Sequence, residues 1–435
     1  MDALLIGIAF FASLLILHLS GFRLLGINAH PLAFLIWIQI FVLTLVGTLG
    51  LGVFGLPMAY GADAAISEET RSEVIFLTFW SMIVFFLGLA CLFGLKVLRP
   101  LNYQVREDDS ELLSKLTIVS VIIIFVKLIF VSEIPLLLVL SGDLLAATEA
   151  KIRILTKQTG ITVFGFNYIV RSFPSYIYIA SVLVYVSDRK NRRFRNLFIV
   201  NLFLATVDSL YDVQKQAIVV LALATFWVFY IQKGKFMALL KGGAIASVLS
   251  GAMFVLTLDY SSGQAILDDT VNRIFLAQAE GMFFIRELID PAIKYMWLGF
   301  PLAGLFGLEQ LDPAAEVIPI LFPTVSDSWL NSNTYYITHA WSIFGNWAVV
   351  LGPFFVLLNV TVVLSVAQPL IKIRSVIYYA VVFWVLIKMP VVNIFTEFLW
   401  MKVVLDAFIN IAFVSILIFM FKPRFDLDKV NRATK

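Results

Sequence analysis

The sequence predicts an all-α integral membrane protein that crosses the bilayer many times. Apolar residues make up 61% of the 435 residues, and the mean hydropathy is +0.94. A soluble protein of this length does not need so much apolar surface, so a polytopic membrane protein is the class that fits. The apolar residues also fall into runs of about 20, the length of a helix that spans a hydrocarbon core of roughly 30 Å.

Eleven such runs can be followed along the chain. We predict about eleven spanning helices, within a range of roughly ten to twelve, because each run is apolar over nearly its full length. In chain order they cover approximately residues 3–20, 31–55, 74–98, 116–135, 166–187, 196–211, 213–232, 239–258, 341–366, 376–392 and 399–421.

Basic residues set the predicted orientation. The stretch DRKNRRFR, residues 188–195, has five basic residues and one acid. Further basic residues mark the same side at residues 233–241, 372–374 and in the tail 422–435. Because cytoplasmic loops carry an excess of Lys and Arg, this side is predicted to be cytoplasmic, with the N-terminus outside.

The whole chain, residues 1–435, is then predicted to be one transmembrane domain with two long outer loops at 132–165 and 259–340. Loops of this length are usually functional. Within the second loop, residues 268–290 place apolar side chains on one stripe and Arg273, Glu280 and Glu287 on the opposite side. This pattern predicts an amphipathic helix on the outer membrane interface; a plain surface helix is the alternative.

Composition excludes several functional classes. A net charge of +3 is too small to indicate nucleic-acid binding, and the single Cys91 excludes an intrachain disulfide or a thiolate metal site. The three histidines have no metal-ligand spacing, and no glycine-rich nucleotide motif is present. We therefore expect neither a metal nor another cofactor.

Charged residues inside the predicted spans gather on one side of the midplane. At 1.5 Å per residue they lie about 18–27 Å from the cytoplasmic helix ends. The set comprises Lys127, Arg171, Asp208, Lys215, Lys388 and Asp406. A charge in lipid costs at least about 2.5 kcal/mol, so these groups should face protein or water. The pattern predicts a vestibule open to the outside and closed toward the cytoplasm. For each member, a structural ion pair or a snorkelling lysine is the alternative.

The join between the sixth and seventh predicted helices contains Asp208, Asp212 and Lys215, and we predict that it forms the floor of the vestibule. Arg153 lies in the first outer loop. Basic residues are less frequent in outer loops than in cytoplasmic ones, so this arginine indicates a phosphate contact. His339 follows asparagines and tyrosines at the predicted mouth. It is a candidate for catalysis, for sugar binding, or for an aromatic interface belt.

These features resemble the Wzy-type polymerases of O-antigen and other oligosaccharide repeat units, which are relatives of the O-antigen ligases. The resemblance rests on the span number, Arg153 ahead of the fifth helix, the short helix pair with Lys215 at its junction, and NRIFLAQAEGMFF followed by His339. It covers most of the chain as topology but only short patches as residues. Gly345 follows His339 after five intervening residues, which departs from the ligase spacing.

The resemblance implies a GT-C-like polymerase/ligase architecture in the bacterial inner membrane, with the active site facing the periplasm. The substrate would be an oligosaccharide on undecaprenyl pyrophosphate, and the growing glycan would pass to a sugar hydroxyl of a new unit without a metal. A chain-length regulator is a further candidate partner, beside membrane lipids.

Site residues follow from the same resemblance. The residues expected to hold the pyrophosphate are Arg171, Lys215, Arg273, Arg153 and Arg286. His339 is the first candidate for the general base and Asp212 the second, while Asp208 is expected to orient Lys215.

Two other functions remain open. One is a ligase that moves glycan to lipid A or protein. The other is a lipid-linked oligosaccharide flippase or secondary transporter, which should carry polar residues along both halves of its path. The apolar cytoplasmic halves of the predicted helices count against transport.

Overall fold

The computed structural model describes residues 2–58, 62, 65–106, 108–155, 158–160, 166–213, 215–257, 272–300, 303–323, 335–373, 375–387 and 399–421. Every regular element in this part of the chain is a helix, which confirms the predicted all-α class. The predicted cytoplasmic tail, 422–435, and parts of both outer loops lie outside the described residues.

The described residues up to 257 contain eleven α-helices. They are α1 (Asp2–Leu19), α2 (Pro31–Phe34), α3 (Val46–Gly52), α4 (Glu68–Gly94), α5 (Asp109–Ile129), α6 (Pro135–Leu140), α7 (Leu144–Leu155), α8 (Phe166–Ser187), α9 (Arg192–Leu210), α10 (Lys215–Lys233) and α11 (Met237–Thr257). A π-helical stretch, Leu35–Leu45, joins α2 to α3.

The later described residues, up to 421, contain six further α-helices. They are α12 (Ala277–Leu288), α13 (Pro313–Leu321), α14 (Tyr336–Phe344), α15 (Ala348–Ile373), α16 (Ser375–Ile387) and α17 (Lys402–Phe421). A π-helical turn, Asn272–Leu276, leads into α12, and 3-10 turns lie at Ile293–Trp297, Ala303–Phe306 and Gly345–Trp347.

Six segments among the described residues are long and apolar enough to cross a membrane by length and composition. They are Pro31–Gly52, Glu68–Gly94, Asp109–Ile129, Phe166–Ser187, Tyr336–Lys372 and Lys402–Phe421. Shorter apolar helices occur at Leu5–Leu19, Ala217–Lys233, Met237–Ala252 and Val376–Ile387. The chain therefore has the elements of a multi-pass membrane protein, with six full-length spans where about eleven were predicted.

The apolar segment Tyr336–Lys372 is two helices rather than one. Gly345 ends α14 with φ +56° and ψ −135°, a conformation that only glycine adopts easily. A Cβ added to Gly352 would lie 3.1 Å from Cβ of Ala340. Residues twelve positions apart in one straight helix are about 18 Å apart, so the chain folds back between them. The predicted ninth helix, 341–366, was therefore placed too early, because hydropathy does not register a reversal at glycine.

The chain divides into two compact units that alternate along the sequence. Unit 1 comprises Met1–Asn102, Ala222–Leu370 and Val385–Leu405. Unit 2 comprises Tyr103–Leu221, Ile371–Trp384 and Asp406–Lys435.

Helix α12 lies in the interior of unit 1. Residues 279–285 are all buried, and α12 contacts α3, α4, α13 and α14. Close approach is possible because α3 presents glycine: a Cβ at Gly47 would lie 2.4 Å from the carbonyl oxygen of Phe275 and 2.9 Å from Cβ of Ala279. Small residues let helices approach in this way in membranes. The prediction of an interface helix is thus wrong for residues 279–285, which are buried on every face, including Glu280 of the predicted polar stripe. Glu287, at the end of the helix, is only half-buried.

Helix α8 occupies the centre of unit 2. It contacts α5 and α9, and Phe173 packs edge-on against Phe413 of α17 with ring centroids 5.4 Å apart. Nearly every residue from Ile169 to Val186 is buried. Helices α6 and α7 form a hairpin between α5 and α8, and this hairpin packs beside the turn that follows α9.

Candidate functional site

A buried ion pair joins the ends of two helices in unit 2. Lys127 is in the last turn of α5 and Asp208 is in the last turn of α9. The Lys127 ammonium donates to Oδ1 of Asp208 over 2.6 Å, and both side chains are buried. Each charge offsets the cost of burying the other. Asp208 therefore binds Lys127, a residue that the sequence analysis had noted but not assigned to the site.

The turn after α9 adds a tyrosine and a second acid to this pair. The Lys127 ammonium lies 4.0 Å from the centroid of the Tyr211 ring, a cation–π contact. Asp212 follows in the same turn, is half-buried, and lies close enough for its charge to act on both Lys127 and Tyr211. We call Lys127, Arg171, Asp208, Tyr211 and Asp212 the charged cluster.

The same turn contains a strained residue. Val213 has φ +55° and is buried. A β-branched residue in the left-handed region is a genuine outlier that costs about 1–2 kcal/mol. Such strain persists where the surrounding structure holds it, and it concentrates at functional sites. It fixes the direction in which the chain leaves Asp212 and enters α10.

Arg171 brings a cation to this turn from α8. It is exposed, although its neighbours Val170 and Ser172 are buried, and its charge acts on Tyr211. Pro174 follows one turn later and has no N–H to donate to the carbonyl of Val170. A charge within a span is costly in lipid, so the Arg171 side chain should face water or polar groups.

The α6–α7 hairpin covers the turn from another direction. The backbone N–H of Leu136 donates to the carbonyl of Tyr211 over 3.2 Å. Val131 and Ile154 form an apolar cluster with the Tyr211 ring. Arg153 in α7 forms an ion pair with Glu133, and both side chains are partly exposed. Arg153, the predicted phosphate contact, thus lies on the hairpin that packs against the charged cluster, and its guanidinium is paired with the Glu133 carboxylate.

The remaining predicted site residue of unit 2 is Lys215, the first residue of α10. Its side chain lies outside the described residues, so the predicted interaction between Asp208 and Lys215 lies outside them too.

His339 lies in unit 1 and is fully buried, at 0% exposure. It belongs to α14, whose neighbouring residues bond to other helices: Tyr336 to Ser81, and Thr338 to the sulfur of Met282. The His339 ring is within hydrogen-bonding reach of the backbone of Tyr295. A general base must reach the hydroxyl of the acceptor, and this ring is enclosed. The predicted position at the mouth of a vestibule was wrong, because the aromatic sequence around His339 is packing in the interior.

Arg286, predicted to bind pyrophosphate, is engaged within unit 1. It forms an ion pair with Glu73 of α4 and lies 4.9 Å from the centroid of the Trp341 ring. The side chain of Arg273 lies outside the described residues. The structure thus places Asp208, Asp212 and Arg171 within electrostatic reach of Tyr211 and packs the hairpin of Arg153 against that ring. His339 and Arg286 belong to the packing of unit 1.

Sequence reasoning missed Tyr211 and the strain at Val213. Tyr211 had one usable signal, its position between two aspartates in a short join. Val213 had no such signal, because valine rarely adopts a positive φ and its presence in a sequence does not predict one. No protein-family model matches this chain, and no curated protein or solved structure matches it significantly.

Proposed function

We propose that this protein polymerises undecaprenyl-pyrophosphate-linked oligosaccharide repeat units at the periplasmic face of a bacterial inner membrane. The observation that carries the proposal is Arg171, an exposed cation within a buried span, whose charge acts on the same tyrosine ring as the charges of Asp208 and Asp212. A lipid pyrophosphate needs this combination: its anion requires a cation, and its tail requires hydrocarbon beside it.

In the proposed reaction, a hydroxyl oxygen of the incoming unit attacks the anomeric carbon of the growing glycan. The bond from that carbon to the pyrophosphate oxygen breaks, and undecaprenyl pyrophosphate leaves with the electron pair. Negative charge develops on the leaving oxygen, so a cation fixed beside it lowers the barrier. We assign this role to Arg171, with Lys215 and Arg153 assisting.

The hydroxyl proton passes to a general base, and Asp212 is our candidate. It is half-buried and lies in the same turn as Tyr211, whereas His339 is enclosed in unit 1. Asp208 is already bound to Lys127, so we assign this pair to holding the turn rather than to proton transfer. The strained backbone at Val213 supports the same view, because it fixes the chain next to Asp212.

We further infer about eleven spans in a GT-C-like arrangement. Four shorter apolar helices and α9 coincide with the predicted spans beyond the six full-length segments, and these support the larger number. Short helices can cover part of a bilayer when neighbouring segments complete the path.

The proposal is tested with purified protein in proteoliposomes that contain a polyprenyl-pyrophosphate-linked oligosaccharide. We expect a ladder of lengthened lipid-linked glycans on a gel. Arg171→Ala should abolish the ladder at unchanged protein level and thermal stability. Arg192→Ala is the matched control, because Arg192 is an exposed arginine at the start of α9 and belongs to the same unit.

A wild-type protein that yields no ladder but moves the labelled lipid across the bilayer would replace this function with transport. Glycan transfer to lipid A in place of elongation would replace it with ligation. A normal ladder from Arg171→Ala would remove that residue from the site.

A further inference from the structure

The α6–α7 hairpin exposes a group of leucines at its tip. Leu137 and Leu140 of α6 are 58% and 70% exposed, and Leu144 and Leu145 of α7 are 38% and 74% exposed. The turn between the helices is short, since Asp143 accepts from the N–H of Ala146 and so begins α7. Four exposed leucines within nine residues form an apolar surface of the kind that marks an interaction site.

These leucines are separate from the face that holds the hairpin in unit 2. The packed face comprises Pro135, Ala147, Ala150 and Ile154, which are buried. The backbone bond from Leu136 to Tyr211 and the ion pair of Arg153 with Glu133 fix the base. The base of the hairpin is therefore anchored while its tip projects. The leucines of the tip do not pack in the interior of unit 2.

The surface of α5 indicates what that environment is. Its exposed apolar residues recur at helical spacing along one face: Ile118, Ile122, Phe125 and Ile129. Because α5 is one of the full-length spans, this face has the composition of a lipid-exposed surface. It continues through the exposed Phe130 at the end of α5, five residues before the hairpin begins.

Polar residues flank the leucines of the tip on both sides: Ser141 and Asp143 of the turn are exposed. Thr148 and Glu149 of α7 are exposed, and Lys151 and Arg153 follow in the next turn. An apolar end followed by polar and basic residues is the pattern of an element that enters the membrane interface from one side, since basic side chains remain at the level of the headgroups.

We propose that the four exposed leucines of the hairpin tip lie in the hydrocarbon edge of the bilayer and bind lipid acyl chains, while Ser141 and Asp143 of the turn stay among the headgroups. The occupant is the leaflet that contains the C-terminal end of α5. Leu140 and Leu145 are the deepest residues, and Thr148 lies nearer the headgroups. This inference concerns where the hairpin lies and does not depend on the proposed reaction.

The test uses site-specific fluorescent labels in proteoliposomes. Cys91→Ser removes the single cysteine, and Leu140→Cys or Leu145→Cys then receives an environment-sensitive fluorophore. Nitroxide-labelled phosphatidylcholine quenches from within the bilayer, and iodide quenches from water. Phe125→Cys provides the lipid reference, and Arg189→Cys, in the exposed turn before α9, provides the water reference.

We expect labels at 140 and 145 to lose fluorescence to the nitroxide lipid as fully as the label at 125, and to resist iodide. A label at Thr148→Cys should respond to both quenchers. Iodide quenching equal to that of the label at 189 would overturn the proposal. Self-quenching that is relieved by dilution with unlabelled protein would also overturn it, because a second copy would then cover the tip.

Discussion

The two connecting regions, residues 133–155 in unit 2 and 272–321 in unit 1, differ in how they are supported. Both were predicted as outer loops, and both contain helices. The α6–α7 hairpin rests on a turn that holds the Lys127–Asp208 pair and leaves four leucines exposed. Helix α12 is buried over residues 279–285, and the turn before it approaches the backbone of α3 at Gly47.

This difference teaches that the receiving surface decides where an amphipathic helix lies. Glycine at 47 and 50 removes the side chains that would keep α12 at a distance, so α12 packs as a core element. In unit 2 the hairpin packs beside a cluster of charges. Apolar side chains can lie over these charges but cannot pair with them.

The arginines of the two regions differ in the same way. Arg286 of α12 is held by Glu73 and the Trp341 ring, which makes it a structural cation. Arg171 of α8, whose charge acts on the Tyr211 ring, is exposed in a helix that is otherwise buried. Three substitutions test the comparison of the two supports.

Loss of Lys127 should produce the largest effect. Lys127→Met leaves the Asp208 carboxylate buried without its ammonium, and we expect a loss of about 3–5 kcal/mol in the free energy of unfolding. The measurement is thermal unfolding of the purified protein in detergent. Lys127→Met with Asp208→Leu should recover most of the loss, because an apolar pair replaces the buried ions.

The matched control for this variant is Lys115→Met in the same helix. Lys115 pairs with Glu111 at 2.7 Å, but both side chains are substantially exposed, so little stability should be lost. Equal losses for the two lysines would show that the charged support of the hairpin has no special weight.

An intermediate effect is expected at the support of α12. In Gly47→Ala the new methyl group meets a backbone oxygen that cannot rotate away, so α3 and α12 must separate. We expect destabilisation of about 1–3 kcal/mol, measured as a lower unfolding temperature.

Gly7→Ala is the control, because a Cβ there meets no atom within 4 Å and alanine is the better helix former. It should leave the unfolding temperature unchanged or slightly raised. A stable Gly47→Ala variant would contradict the close approach that separates α12 from the hairpin.

The smallest effect concerns pH at the end of α12. Burial raises the pKa of Glu287, but hydrogen bonds from the N–H of Ser67 and the hydroxyls of Thr70 and Ser67 outweigh it, so the pKa lies below its usual value of 4.5. A carboxylate with a lowered folded pKa stabilises the protein above its unfolded pKa, and this contribution is lost as the pH falls through the folded value.

Glu287→Gln should therefore lower the unfolding temperature slightly at about pH 7, and the difference from wild type should shrink as the pH falls through the folded pKa. Unfolding is followed over this range by tryptophan fluorescence. A difference from wild type that is constant with pH would show that Ser67 does not select the charged form.

The candidate site could be predicted in part. Asp208, Asp212 and Arg171 were predicted as site residues because charges within apolar runs are costly wherever they lie. Their partners were not predicted: Lys127 is 81 positions from Asp208, and helix packing alone brings the two together. His339 was assigned to the site because exposed and enclosed aromatic surroundings have the same composition, and Arg286 was assigned through the resemblance, which does not show its partners.

The sequence by itself determined that this is a helical membrane protein, and it located the helices, because apolar runs and charges state directly what lipid tolerates. Only the tertiary structure decided that the chain reverses at Gly345, that the middle of α12 is buried, and that the hairpin tip is exposed. These outcomes depend on which helix surfaces pack against each other. The sequence pattern of one helix shows its apolar face but not the surface that this face will contact.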